Sequence, residues 1–184
     1  SAFSINPPTV SAGKVYVQRG NHSTDSQLWC VEAASGATVW SVPFSAQWER
    51  YFAPTVVNDG VWVDGGSYGG LYGFNTSDGS QRFFNSTLEQ YDQWTPAYYN
   101  GTIFTWIPGI FRAHDTTSGV TLWSLNLGWT WNGWSMNTAP VIESGKAFVV
   151  GSPNLYAIDL TTHASPWMVS GTFKGTAAVA NGKV

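Results

Sequence analysis

One thirteen-residue phrase occurs four times, and this constrains the chain more than any other feature. It reads LWCVEAASGATVW from Leu28 to Trp40, LYGFNTSDGSQRF from Leu71 to Phe83, FRAHDTTSGVTLW from Phe111 to Trp123 and LYAIDLTTHASPW from Leu155 to Trp167. Each copy opens on a large apolar residue and closes on an aromatic one. The third position is small (Cys30, Gly73, Ala113, Ala157) and the fifth is an acid or amide (Glu32, Asn75, Asp115, Asp159). The ninth is a turn glycine (Gly36, Gly79, Gly119), with His163 as the exception. A second phrase precedes each copy, starting at Pro8, Pro54, Pro96 and Pro140, and a fifth begins as AAVANGKV near Ala178. Successive starts are 46, 42, 44 and 38 residues apart. A fixed period in this range marks a repeat architecture in which each unit buries its core against its neighbours.

Each unit reads as four short strands. In the first, Thr9 to Ser11 runs into a tight turn at Ala12-Gly13, and Lys14 to Arg19 returns. The matching turns are read at Asp59-Gly60, Asn100-Gly101, Ser144-Gly145 and Asn181-Gly182. Such pairs favour hairpins because both central residues need positive φ. Gln27 to Glu32 is the third strand, and the Ser35-Gly36 turn leads to the fourth at Ala37 to Val42. Proline at the head of each unit is tolerated where a strand begins. No segment shows helical periodicity. The units span 8–53, 54–95, 96–139 and 140–177, with a fifth starting at 178–184. Four-stranded antiparallel units of this length predict an all-β chain, a β-propeller of which about four blades are present. A pair of β-sandwiches would explain the alternation but not the strict register. Closure takes about 4–8 blades, so the chain is expected to be part of a larger ring, with SAFSIN at its start as the tail of an earlier unit.

The pattern A-x-D-x-x-T-G-x-x-x-W, fullest in AHDTTSGVTLW and AIDLTTHASPW, resembles the tryptophan-docking motif of quinoprotein (PQQ-like) propellers. The resemblance covers nearly the whole chain. It implies that Trp40, Phe83, Trp123 and Trp167 pack between their own blade and the next, near the small third residue. On area alone such a buried ring contributes about 3 kcal/mol.

Only 10% of the residues are charged, the net charge is -3, and 16% are aromatic. No basic cluster suggests nucleic acid, and no apolar run reaches the roughly 20 residues of a membrane span. With neither a signal peptide nor a first Met, the chain reads as mature or as cut from something longer. Cys30 is alone and reads as a buried small residue, and His114 as a satisfied interior one. Asn21, Asn75, Asn85 and Asn100 lie in Asn-x-Ser/Thr sequons. Asn21 and Asn85 are the better glycan sites, and Asn75 is expected to bond within its turn.

Chemistry should sit in the loops that run inward from each outer strand. They carry Trp48, Glu49, Arg50 and Tyr51, then Tyr91, Asp92 and Trp94, then Trp129, Trp131 and Trp134. Aromatics with a few acids and amides suit flat polar ligands, sugars or a quinone ring; the bland alternative is that they plug the channel or pack between blades. No two His share metal-ligand spacing, and GGSYGG at Gly65 to Gly70 is followed by neither Lys nor helix, so it reads as a tight loop rather than a phosphate cradle. The expectation is a secreted or extracellular scaffold (periplasmic if bacterial), without catalytic residues, metal or cofactor. It would bind a protein or glycan on this face, and the remaining blades or a partner chain would cover its open edges. One alternative is part of a PQQ- and calcium-dependent dehydrogenase, with oxygen ligands near Glu49 or Asp92. Another is a building block of an extracellular assembly.

Overall fold

The computed structural model describes residues 4–21, 24–47, 52–66, 68–89, 93–107, 109–128, 137–151 and 153–184. Among them there is no helix. The first sheet holds β1 (Ser4–Ile5), β2 (Thr9–Ser11), β3 (Lys14–Asn21), β4 (Thr24–Glu32) and β5 (Thr38–Pro43). The second runs β6 (Thr55–Val57), β7 (Gly60–Asp64), β8 (Leu71–Asn75), β9 (Gln81–Asn85). After β10 (Gln93–Trp94), the third runs β11 (Ala97–Tyr99), β12 (Thr102–Ile107), β13 (Ile110–Asp115), β14 (Thr121–Asn126). After β15 (Asn137–Thr138), the fourth runs β16 (Val141–Glu143), β17 (Lys146–Gly151), β18 (Asn154–Asp159), β19 (Ala164–Val169). Within each sheet every pairing is antiparallel, so each is a meander of hairpins.

Register places one row of side chains across each blade. The rows are Thr9–Tyr16–Cys30–Trp40, Thr55–Trp62–Gly73–Phe83, Ala97–Phe104–Ala113–Trp123 and Val141–Phe148–Ala157–Trp167. The small third residue of the repeat is therefore the cross-strand neighbour of the outer aromatic. Every blade shifts register just after that residue, between its third and fourth strands.

The sheets pack face to face, and the cores lie between them. Tyr16, Leu28 and Trp40 meet Val61, Val63 and Phe74. Trp62, Leu71 and Phe83 meet Ile103 and Ile107. Phe104, Trp106 and Phe111 meet Ala147, Val149 and Ile158. The second blade is covered on both sides, which is why all five residues of β7 are buried. Inner strands are also tied directly: Thr9 Oγ1 donates to the Pro54 carbonyl and Thr55 Oγ1 to that of Pro96. The four sheets do not close on one another.

One sequence expectation needs correction. The turn of the second blade is Asn58-Asp59, not Asp59-Gly60, because Val57 pairs with Gly60 and Asn58 takes the positive φ of 53°. Gly60 is a strand residue lying under the Trp62 ring, where a Cβ would come within 2.2 Å of the indole. Ser4 and Ile5 pair with Gly20 and Arg19 of β3, and Asn6 Nδ2 anchors them to the Gln18 carbonyl at 3.1 Å.

Candidate functional site

Two kinds of loop meet at one end of the sheets, as the repeat register implies. Ala46, after β5, bridges Gly66 of the β7–β8 loop, and the Gly66 N–H donates to the Ser45 carbonyl at 2.6 Å. Leu127 N–H reaches the Gly109 carbonyl, and Phe173 N–H that of Pro153. β10 and β15 pair in parallel and join the next two inward connections. Arg112 on β13 grips Glu89, after β9, with two bonds of 2.8 and 2.9 Å.

Trp48, Glu49, Arg50, Tyr51, Tyr91, Asp92, Trp129, Trp131 and Trp134 lie outside the described residues. Trp94 is described, and it is 2% exposed, in the core with Leu88 and Ile103. It lines the inter-blade core and not an open mouth, because its parallel pairing with Thr138 holds it beneath the loops.

Among the described residues this face displays an aromatic that was not among the expected ones. Tyr68 is 82% exposed at the tip of the Gly65–Gly70 loop. The glycines are required by close approach. A Cβ on Gly66 (φ 93°) would sit 2.4 Å from the Gly69 carbonyl oxygen, and one on Gly70 2.3 Å from the Phe84 ring. The loop is thereby a tight presenter of one tyrosine. Its signal in the sequence was a single aromatic framed by glycine pairs.

Beneath this loop sits Asp64, 5% exposed at the end of β7. Burial pushes its carboxyl well above the ordinary carboxylate range; the neighbouring Gln18 side chain and the Trp94 backbone oppose that shift without overcoming it. Among the described residues, Gln18 Nε2 beside the carboxyl and Ser26 Oγ are buried without a hydrogen-bond partner. Asp64 stands where the other blades have Gln18, Trp106 and Val150, so an off-pattern carboxylate was the available clue. Among the described residues no three His, Cys, Asp or Glu side chains converge on a possible metal position. A hard cation takes six or more oxygens, and Asp64 is the one buried carboxylate among the described residues, enclosed by its neighbours. The described residues therefore do not fit a calcium–quinone centre.

The outer aromatics face the next blade's turn. A Cβ on Gly79 would fall 2.6 Å from the Trp40 ring, and one on Gly119 2.2 Å from Phe83. Trp40 Nε1 donates to the Thr76 carbonyl at 3.0 Å. Phe83 has no N–H, and Trp62 supplies one instead to the equivalent Thr116 carbonyl at 3.3 Å. At the third junction the Trp123 ring stacks on His163, centroids 4.1 Å apart and planes 15° from parallel. Trp167 is 38% exposed.

Cys30 is buried, and burial raises its thiol pKa. His114 is buried against Thr105 Oγ1 at 2.9 Å and Thr121 Oγ1 at 3.3 Å. Desolvation depresses its pKa to about 4, with Arg112 adding to the effect, so it is a neutral interior imidazole. Asn75 Nδ2 bonds within its turn to Ser80 Oγ at 2.6 Å. Asn85 Nδ2 donates to the Gly119 carbonyl of the next blade at 2.8 Å, while Asn100 stands exposed in a hairpin turn. The side chain of Asn21 lies outside the described set.

Four-stranded antiparallel blades, in-register outer aromatics and inward loops on one face define a PQQ-type β-propeller. A family model described as "Outer membrane protein assembly factor BamB" matches residues 1–104, and the chain belongs to that PQQ-type propeller family. Among solved structures, BamB from Moraxella catarrhalis superposes with a TM-score of 0.72 at 18% identity, over 92% of this chain and 52% of that one. The quinohemoprotein alcohol dehydrogenase ADHIIG from Pseudomonas putida HK5 gives 0.64 at 15% identity, over 89% of this chain and 34% of that one. The quinohemoprotein alcohol dehydrogenase from Comamonas testosteroni gives 0.66 at 14%, over 91% and 35%. At such identities these likenesses speak for the fold. The chain spans about half the length of the first structure and a third of the other two. No curated protein sequence matches it.

Proposed function

We propose that this chain is part of a scaffold propeller that binds another protein through its loop face and performs no catalysis itself. The observation that carries the proposal is Tyr68, held 82% exposed on a glycine-framed loop over a sealed carboxyl. Tyrosine is a preferred anchor in protein interfaces, since it adds area at small entropic cost. The family description, an assembly factor for outer membrane proteins, supports a protein partner over a glycan. It also supports a place in the periplasm, or outside the cell. Asn100 is the sequon we assign to any glycan a eukaryotic secretory route would add.

A photoreactive amino acid at position 68, expressed in the native host, tests this. A discrete cross-linked partner, lost when Arg112→Ala frees Glu89 and loosens the face, supports the scaffold. A face that captures only oligosaccharide would move the reading to a glycan. The dehydrogenase reading has the fold likeness in its favour. It requires quinone-dependent alcohol oxidation in the reconstituted chain, which we expect to be absent.

A further inference from the structure

Burial alternates residue by residue along β3 and β4. Tyr16, Gln18 and Gly20 are buried on one strand, and Ser26, Leu28 and Cys30 on the other. These side chains share the face that the second blade covers, where Tyr16, Leu28 and Cys30 pack against Val61 and Val63. Gln18 pairs with Leu28 across the strands, so Ser26, two residues along, is its diagonal neighbour on that face. Such neighbours stand about 7–8 Å apart, within reach of a long side chain but too far for a direct bond from a short one. Gln18 is 1% exposed and Ser26 3%, and neither Gln18 Nε2 nor Ser26 Oγ finds a protein partner. The Gln18 side chain lies against the Asp64 carboxyl, which also accepts from the Trp94 N–H.

We propose that one buried water molecule is bound between Gln18, Ser26 and Asp64 and joins the first blade to the second. The hydrogen-bonding inventory selects this occupant. Gln18 Nε2 can only donate, so it needs an acceptor. Ser26 Oγ can donate or accept, and a carboxyl oxygen of Asp64 accepts whether or not the group is protonated. Water takes the Gln18 N–H and donates to both oxygens. An ammonium group cannot accept, a bare cation would face the Nε2 donors, and an anion would face the carboxyl. Three polar partners are the usual number for a buried water. Asp64 is the last residue of β7, so the bound water holds the root of the loop that presents Tyr68.

A crystal structure of the native polypeptide at atomic resolution, from crystals soaked in rubidium chloride, tests the site directly. The expected result is a water peak within hydrogen-bonding distance of Gln18 Nε2, Ser26 Oγ and an Asp64 oxygen, with no anomalous signal. Magnetic relaxation dispersion of the water oxygen reads the same site in solution. A variant carrying Gln18→Leu and Ser26→Ala together should show one long-lived water fewer than the unmutated protein. A direct bond from Gln18 Nε2 to Asp64 with nothing between the three side chains overturns the proposal. So does an anomalous rubidium peak, which would make the occupant a cation, or a folded double variant with an unchanged number of long-lived waters.

Discussion

Gly36 and Gly79 occupy the same repeat position, with φ of 71° and 73°, but only Gly79 lies under a ring. Substituting each by alanine separates backbone strain from blade packing. Both variants force a Cβ into the left-handed region, at about 1–2 kcal/mol. Only Gly79→Ala also drives that Cβ to 2.6 Å from the Trp40 ring and 3.0 Å from Val42 Cγ1. The ring cannot yield freely, because its Nε1 is bonded to the Thr76 carbonyl and its face is 8% exposed. Overpacking of this kind adds about 1–3 kcal/mol. The expected losses are therefore about 1–2 kcal/mol for Gly36→Ala and about 2–5 kcal/mol for Gly79→Ala. Urea unfolding, followed by far-UV circular dichroism at one chain concentration, measures both. Equal losses would refute the idea that the outer aromatic and the next turn hold adjacent blades together.

Trp62→Phe removes the only indole N–H directed at the Thr116 carbonyl among the described residues, and should cost about 1 kcal/mol for the bond plus a cavity term; unfolding midpoints check it. His114 binds its proton more weakly folded than unfolded, so its contribution is complete above pH 6.5 and is lost as pH falls toward about 4. That loss is about 3 kcal/mol from the size of the shift, and His114→Gln should flatten the acid limb of a stability–pH profile. Asp64 acts with the opposite sign. Its raised folded pKa makes stability greatest below the ordinary carboxylate range, declining as pH rises through the folded value. Asp64→Asn should remove that decline and raise stability at neutral pH; a steeper decline in the variant would show that the carboxylate is satisfied where it sits. At the third junction, His163→Gly relieves a φ of 56° but removes the stack on Trp123, and thermal unfolding should show a near-cancellation within about 1 kcal/mol.

The sequence by itself determined the blades. Pro8, Pro54, Pro96 and Pro140 set the starts, and the spacing from Cys30 to Trp40 and its three counterparts set which residues pair across the outer strands. These are local or near-local relations, repeated four times, and repetition in register lets pattern alone resolve them. Where local composition misled, it did so by one residue: Gly60 reads as a turn glycine, and only the Trp62 ring folded over it shows why the glycine belongs in the strand. The exchange of ring sizes in the second blade, with Trp62 supplying the N–H that Phe83 lacks, needed the neighbouring blade to be seen. So did the burial of Trp94 and the enclosure of Asp64. Both depend on strands that meet at the loop face from separate repeats, such as Trp94 beside Thr138. The sequence marked aromatic loops as a surface; among the described residues, tertiary structure decided that Tyr68 stands out of it and Trp94 does not. Exposure at Tyr68 and burial at Trp94 are set by what the next blade covers, and no periodicity within a blade records that.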